Sequence, residues 1–480
     1  MYNMIHRIYK RQLIVLLLYF FVCSLSILSL YLSKNNDMSE ILYYTVISHI
    51  IISLVLVTVA SSKIFSYSFI YILFCGVFFY GQLAVHLANV DVFAGMDVFY
   101  ACNKNLINQT VHYIFGAMVF CVGGILVSKS GTNLNERYYV DKDTTKNTEL
   151  YLVGKYIFWV TIIPKVVIDL VRIFMYMKYH YGPHVMAVAP GWVYSFANLC
   201  EFGIVMIIIS RYKAKRIAKA IVFISIAYQF LPICCGVRAR SVIFITILLY
   251  FYFKRYGSIK PYAKLNFRSL LLYGTLVYVF TVIINIVSQT RADGISFESF
   301  SESFASSIID PIFTAFQEFG NTLGSICYTY MDSTQAKVAD YGEFNILLRL
   351  LILVPNVGGF HSQFENVFYV NSNFDDSLVW ANSFGGSFLC ELLFDFGRNS
   401  WWIAGFVGVL VGKIDKLSEQ INNRTMFVVA YLLPLYFNVI WWIRDNFVSI
   451  PRELLYNAIL IVVIRYFVNK KKVNRIVQSI

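Results

Sequence analysis

Five arginines in this chain stand where helices that cross a membrane would end. Arg238 and Arg240 lie in the short turn Gly236–Ser241 between two apolar runs, and Arg291 follows directly after another. Arg444 closes a run and Arg452 opens the next. A guanidinium is a planar, permanently charged fork that can grip two phosphate oxygens at once. Several such forks at one depth would suit a pyrophosphate carried on a membrane lipid. Each arginine alone also has a plainer reading. It can snorkel at a helix end or pair with its neighbour, Arg444 with Asp445 and Arg452 with Glu453. As a set reaching one level from separate segments, they favour a site.

Carboxylates and imidazoles come next, because a sugar hydroxyl needs a base to become a nucleophile. Glu318 lies in a helical pattern, and Glu391 and Asp395 are i, i+4 neighbours in an apolar stretch. Each is a candidate base, although neutralising an arginine is the blander and slightly favoured role. Asp169 and Arg172 are spaced i, i+3, as a local ion pair would be. Glu201 sits inside an apolar run, where a carboxylate is functional by default. His361 follows Gly358 and Gly359, and His180 and His184 share another polar link. Nothing in the sequence pairs these histidines, which favours solvated loop residues over bases. The chain has no Gly-rich nucleotide loop, HExxH or GxSxG, so ATP hydrolysis, zinc proteolysis and a hydrolase elbow have no support.

The elements that must hold these groups follow from composition. Of 480 residues, 58% are hydrophobic and 14% charged, where a soluble domain carries about a quarter charged residues. So few charges cannot cover a water-facing surface, and the solvent must be lipid. The formal charge of +13 comes from short basic clusters between apolar runs, the habit of cytoplasmic loops and not of a nucleic-acid partner. Runs near 12–32, 41–60, 64–87, 108–128, 151–177, 192–210, 217–235, 240–253, 269–288, 401–415, 426–443 and 452–468 predict an all-α integral membrane protein with about twelve spans. Basic loops alternate with basic-poor ones at 33–40, 88–107, 178–191 and 289–400. That places both termini in the cytoplasm.

Three regions are expected: a membrane domain over 1–288, a long outer loop over 289–400, and a second membrane part over 401–480 ending in a basic tail. Within the loop, Phe297–Tyr330 reads as helix, Gly342–Leu353 as amphipathic, and Phe384–Phe396 as a re-entrant or interfacial helix on the outer side. A long ordered loop beside a membrane is usually a lid or binding element. Of nine cysteines, Cys23, Cys75, Cys121 and Cys200 fall in apolar runs. Cys102 and Cys327 are expected outside the membrane, where pairing is open but undecided by sequence.

Four stretches carry a family resemblance: CGVRARS at 235–241, FQEFGNT at 316–322, NSFGGSFLCELLFDFG at 382–397, and Arg444 with the Arg452 helix. In them the chain resembles the Wzy-type O-antigen polymerases, a group of oligosaccharide repeat-unit polymerases. The resemblance covers most of the chain beyond about residue 150, and the earlier part agrees in hydropathy. It implies a bacterial inner-membrane glycosyltransferase whose site faces the periplasm. The donor would be a growing glycan on undecaprenyl pyrophosphate, the acceptor one lipid-linked repeat unit, and a chain-length regulator protein a possible partner. Arg238, Arg240, Arg291, Arg444 and Arg452 would stabilise the leaving pyrophosphate. Glu318 or His361 would take the acceptor proton, and Tyr369 and Trp380 would stack on sugars near Glu391 and Asp395. No cofactor, nucleotide sugar or metal is called for. The rival readings are an O-antigen ligase, which shares the donor, and a lipid-linked oligosaccharide flippase, which would line a mid-membrane cavity with charge.

Overall fold

Lipid offers no water to backbone N–H and C=O groups, so a spanning segment must satisfy them within itself. Helices do so here. The computed structural model describes residues 2–33, 39–61, 65–90, 97–130, 147–179, 185, 188–256, 281–282, 286, 310–331, 346–354, 356–369, 386–419, 421 and 425–478. Among them there are helices and turns and no strand.

The first eight long helices are α1 (Tyr2–Ser33), α2 (Ser39–Ser61), α3 (Tyr67–Ala88), α4 (Lys104–Ser130), α5 (Thr148–Tyr179), α6 (Gly191–Ile209), α7 (Lys215–Cys234) and α8 (Ala239–Tyr256). Each overlaps a predicted run. The ninth run, 269–288, lies almost wholly outside the described residues, as does Arg291. Beyond it come α9 (Asp310–Phe319), α10 (Thr322–Met331), two 3₁₀ segments (Leu348–Leu353 and Val357–Phe364), α11 (Phe388–Phe396) and α12 (Ala404–Glu419). The chain closes with α13 (Thr425–Tyr431), α14 (Leu433–Trp441) and α15 (Ser449–Gln478). Among the described residues six helices are long and apolar enough to cross a membrane: Gln12–Ser29, Ser39–Ser61, Tyr67–Ala88, Lys104–Lys129, Gly191–Ile209 and Lys215–Cys234. Leu17, Phe20 and Phe21 of α1 and Ile163, Leu170 and Phe174 of α5 are exposed large apolar side chains, as a lipid-facing surface requires.

Small residues set the tightest helix contacts, as they do where lipid competes for apolar faces. Gly408 on α12 lies against the Cys121 carbonyl of α4, and Gly124 of α4 lies against the Gly405 carbonyl. Gly154 and Gly203 do the same for α5 and α6. At one end of the α4–α12 pair, Lys129 meets Asp415 at 2.5 Å. Asp415 also accepts from the Tyr67 N–H at 3.0 Å and the Ser68 hydroxyl at 2.7 Å, so one carboxylate caps the positive end of α3.

The stretch expected as one helix over Phe297–Tyr330 is divided. Residues 297–309 lie outside the described residues, and the remainder breaks at Gly320 and Asn321 into α9 and α10. The break has a packing cause. A Cβ on Gly320 would stand 2.6 Å from the Gln82 nitrogen, and one on Gly81 would stand 2.3 Å from the Phe316 carbonyl oxygen. The corner therefore fits against α3 only through glycine. Gln82 then ties it down, donating to Asn321 Oδ1 at 2.6 Å and to the Gln317 carbonyl at 3.3 Å. Its own oxygen accepts from the Val98 N–H at 3.0 Å. Of the amphipathic candidate 342–353, the described part is the 3₁₀ segment, and residues 384–385 of the re-entrant candidate lie outside the described residues.

Candidate functional site

The arginine turn is built on one glycine. Gly236 has φ +88°, a left-handed backbone that a side chain disfavours. That turn sends Arg238 and Arg240 to either side of the start of α8. Arg238 is 5% exposed and donates to Glu318 Oε1 at 2.5 Å. Arg240 donates to Glu453 Oε1 at 2.9 Å, and its Nε faces Glu201 Oε2 at 3.9 Å. Glu453 is held in turn by Asn438 at 2.9 Å and Asn198 at 3.4 Å. Glu453 thus serves Arg240 rather than its neighbour Arg452, and Asp445 accepts from the Trp441 indole and from Asn446.

Arg444 lies in the turn between α14 and α15, and Arg452 in the first turn of α15. The Arg444 guanidinium lies 5.8 Å from the Phe78 ring centre, and Phe78 packs edge-on against Phe319, next to Glu318. Arg452 reaches the first residue of α6, where a Cβ on Gly191 would stand 3.1 Å from its Nη1. Among the described residues Arg452 has no carboxylate partner. Four of the five predicted arginines are therefore gathered by contacts among α3, α6, α8, α9, α14 and α15.

An arginine that the sequence reading passed over organises the loop. Arg349, 1% exposed, makes a two-pronged bond to Asp395 at 2.6 and 3.0 Å and lies 3.6 Å from Glu391. It also donates to the Val367 carbonyl at 3.0 Å. Its signal was present in the sequence, since a lone arginine flanked by Leu347, Leu348, Leu350 and Leu351 must find a partner if buried. Glu391 further accepts from the Trp442 indole at 2.5 Å and the Phe447 N–H at 3.0 Å. Burial pushes its carboxyl up to about 7, against the pull of Arg349 and both N–H donors. Burial raises Asp395 as well, again opposed by Arg349. Glu391 and Asp395 thus face Arg349 rather than an open cleft.

His361 sits on the second 3₁₀ segment. Its Nε2 lies 2.7 Å from the Val354 carbonyl, which can only accept, so Nε2 carries a proton and Nδ1 is the nitrogen left to act as a base in the neutral ring. The ring rests edge-on against Phe368, which shares a small apolar cluster with Ile352, Val448 and the neighbouring Tyr369. Val448 belongs to the Arg444–Arg452 turn, so this cluster brings the His361 segment to the arginines. Trp380, His180 and His184 lie outside the described residues.

The more buried charges on α5 and α6 form a chain. Asp169 pairs with Arg172 at 2.8 Å, as their spacing predicts. Lys165 bridges Asp169 and Glu201, 3.6 Å from each.

Comparison with protein families supplies what geometry alone does not. The description of the family O-antigen polysaccharide polymerase Wzy matches residues 12–472, nearly the whole chain. The chain belongs to that family. A Wzy polymerase is a multi-pass membrane glycosyltransferase of polysaccharide biosynthesis that works on lipid-linked oligosaccharide repeat units. The match takes in residues 12–150, where the sequence agreed with Wzy proteins in hydropathy alone. Comparison with curated proteins and with solved structures returned no match.

Proposed function

We propose that this polymerase transfers a growing glycan from undecaprenyl pyrophosphate onto an incoming undecaprenyl-pyrophosphate-linked repeat unit. The site faces the periplasm of a bacterial inner membrane, with both termini cytoplasmic and about twelve spans. Regions 1–288 and 401–480 form the membrane body, and 289–400 the outer loop that covers the glycans.

The observation that carries the reading is the unequal state of the arginines. Arg238 and Arg240 are held by Glu318 and Glu453, whereas Arg452 has no carboxylate partner among the described residues. A pyrophosphate leaving group develops charge as its bond to the sugar breaks, and fixed cations at that point lower the barrier. Arg452 is the anchor for that charge. Arg444 lies on the turn that leads into its helix, Arg240 is held by its neighbour Glu453 and Arg238 by Glu318, and Arg291 would complete the set. The acceptor hydroxyl oxygen attacks the anomeric carbon of the donor sugar, and the carbon–oxygen bond to pyrophosphate breaks. The hydroxyl proton goes to a base. His361 suits that role better than Glu318, because its Nδ1 is not the nitrogen used on the Val354 carbonyl while Glu318 is engaged by Arg238. Tyr369 and Trp380 stack on sugars. Glu391 and Asp395 act at one remove by holding Arg349. A chain-length regulator protein is a partner consistent with this reaction.

The test is glycan display on a gel from a strain deleted for this gene and complemented with wild type, Arg452→Ala or Arg452→Lys. Loss of the long ladder with core plus a single repeat unit retained marks polymerisation. Arg452→Ala at normal protein level should lose on the order of 10²–10³ in rate and show the same truncated pattern, with Lys restoring part of the ladder. Loss of every repeat unit from the core would point to ligation or flipping and overturn the reading.

A further inference from the structure

Two cysteines whose pairing the sequence left open meet in the fold. Cys102 follows the single helical turn Val98–Ala101 just ahead of α4, and Cys327 lies midway along α10. Both are free thiols in the structure, close enough that each perturbs the ionisation of the other. Cys102 is 6% exposed and Cys327 is fully buried. The contact joins parts already docked on one another, since α10 packs on both α3 and α4 and Gln82 bonds both Asn321 and Val98.

We propose that Cys102 and Cys327 form a disulfide, which fastens the α9–α10 corner to the ends of α3 and α4. The corner carries Glu318, so the bond would hold the carboxylate that meets Arg238. The inference rests on the reading that places the 88–107 link and the long loop on the outer face, where an oxidising compartment keeps disulfides intact. Cys23, Cys75, Cys121 and Cys200 lie within spanning helices instead.

The chemistry is thiol–disulfide exchange with an oxidised disulfide carrier protein. The Cys102 thiolate attacks one carrier sulfur, forming a mixed disulfide and releasing a carrier thiolate. The Cys327 thiolate then attacks the Cys102 sulfur and releases the second carrier thiolate. The cysteine pair gives up two protons and two electrons, and the carrier disulfide is reduced. Because both sulfurs are buried once the corner is docked, exchange precedes docking, and a reductant is shut out afterwards.

Full-length protein purified from membranes would be alkylated in denaturant without reductant, digested and weighed. The expected result is a linked pair of peptides holding Cys102 and Cys327, two hydrogens lighter than their sum and separated by reduction. Dithiothreitol added to folded protein should leave the link in place, and denaturation should expose it. Alkyl groups on both cysteines without prior reduction would overturn the proposal. Orientation is read separately with Tyr100→Cys, a position 90% exposed, in a Cys102→Ser, Cys327→Ser background. A membrane-impermeant maleimide should label it on intact cells in which the outer membrane has been opened. Labelling there, with free thiols in the wild type, removes the disulfide and leaves the outer-face reading standing. Labelling only after the inner membrane is broken removes the orientation, and with it the reason for the bond. The wild-type mass measurement needs no variant to fold.

Discussion

At the level of single residues, charge type was legible and charge partner was not. The depth of Arg238 and Arg240 follows from the apolar runs beside them. Their carboxylates lie 80 and 213 residues away, a distance no local pattern reports. Glu453 looked like the natural partner of its neighbour Arg452, and tertiary packing gave it to Arg240. Glu391 shows what such packing does to an acid. Its ordinary value near 4.5 is raised to about 7 by burial, so the native state holds a proton that the unfolded chain has already released in between. The resulting stability is fully present below the unfolded value and is lost as pH rises through about 7, with Asp395 displaced in the same direction. The effect is at most about 3 kcal/mol for a shift of this size. The expected outcome is a thermal midpoint in detergent that falls from pH 6 to pH 8 in the wild type. In Glu391→Gln that slope should be flat, and an unchanged slope would assign it to another group.

Helices were the most legible elements, because lipid demands long apolar runs and tolerates little else. The loop was harder, since Phe297–Tyr330 keeps a helical pattern straight through the break at Gly320. The reason for the break is a neighbour on α3, which the pattern cannot see. The glycines at the α4–α12 contact act in the same way, as spacers whose purpose shows only in the pair. A Cβ on Gly408 would stand 1.9 Å from the Cys121 carbonyl oxygen, while one on Gly123 would meet only the Tyr19 ring at 3.9 Å. Gly408→Ala should therefore force two backbones apart and cost about 1–3 kcal/mol. Gly123→Ala should be near neutral. Melting of both variants in one detergent checks this, and equal midpoints would show that the helices separate freely.

For the whole molecule, the alternation of basic and basic-poor loops predicts the orientation on which the proposed site depends. Alkaline phosphatase fused after residue 103 should be active in intact cells, and the same reporter fused after residue 480 should be inactive. The reverse pattern would turn the arginines toward the cytoplasm. The family was legible from residues 235–241, 316–322 and 382–397, where charged residues and glycines interrupt apolar runs. The pairing of Lys129 with Asp415, and of Arg349 with Asp395, was not legible because the partners lie 286 and 46 residues apart.

Gln82 gives the molecule a timetable. Its oxygen finds the Val98 N–H sixteen residues later, but its amide must wait for Asn321, 239 residues further along the chain. At about 5–20 residues per second, the partner arrives roughly 10–50 s after Gln82 is made. For that interval the end of α3 presents a polar amide and a bare glycine notch with nothing to fill them. The corner that fills them cannot be the seed of the fold. It is a late arrival, and the eight long helices made before it must stand in the bilayer without it.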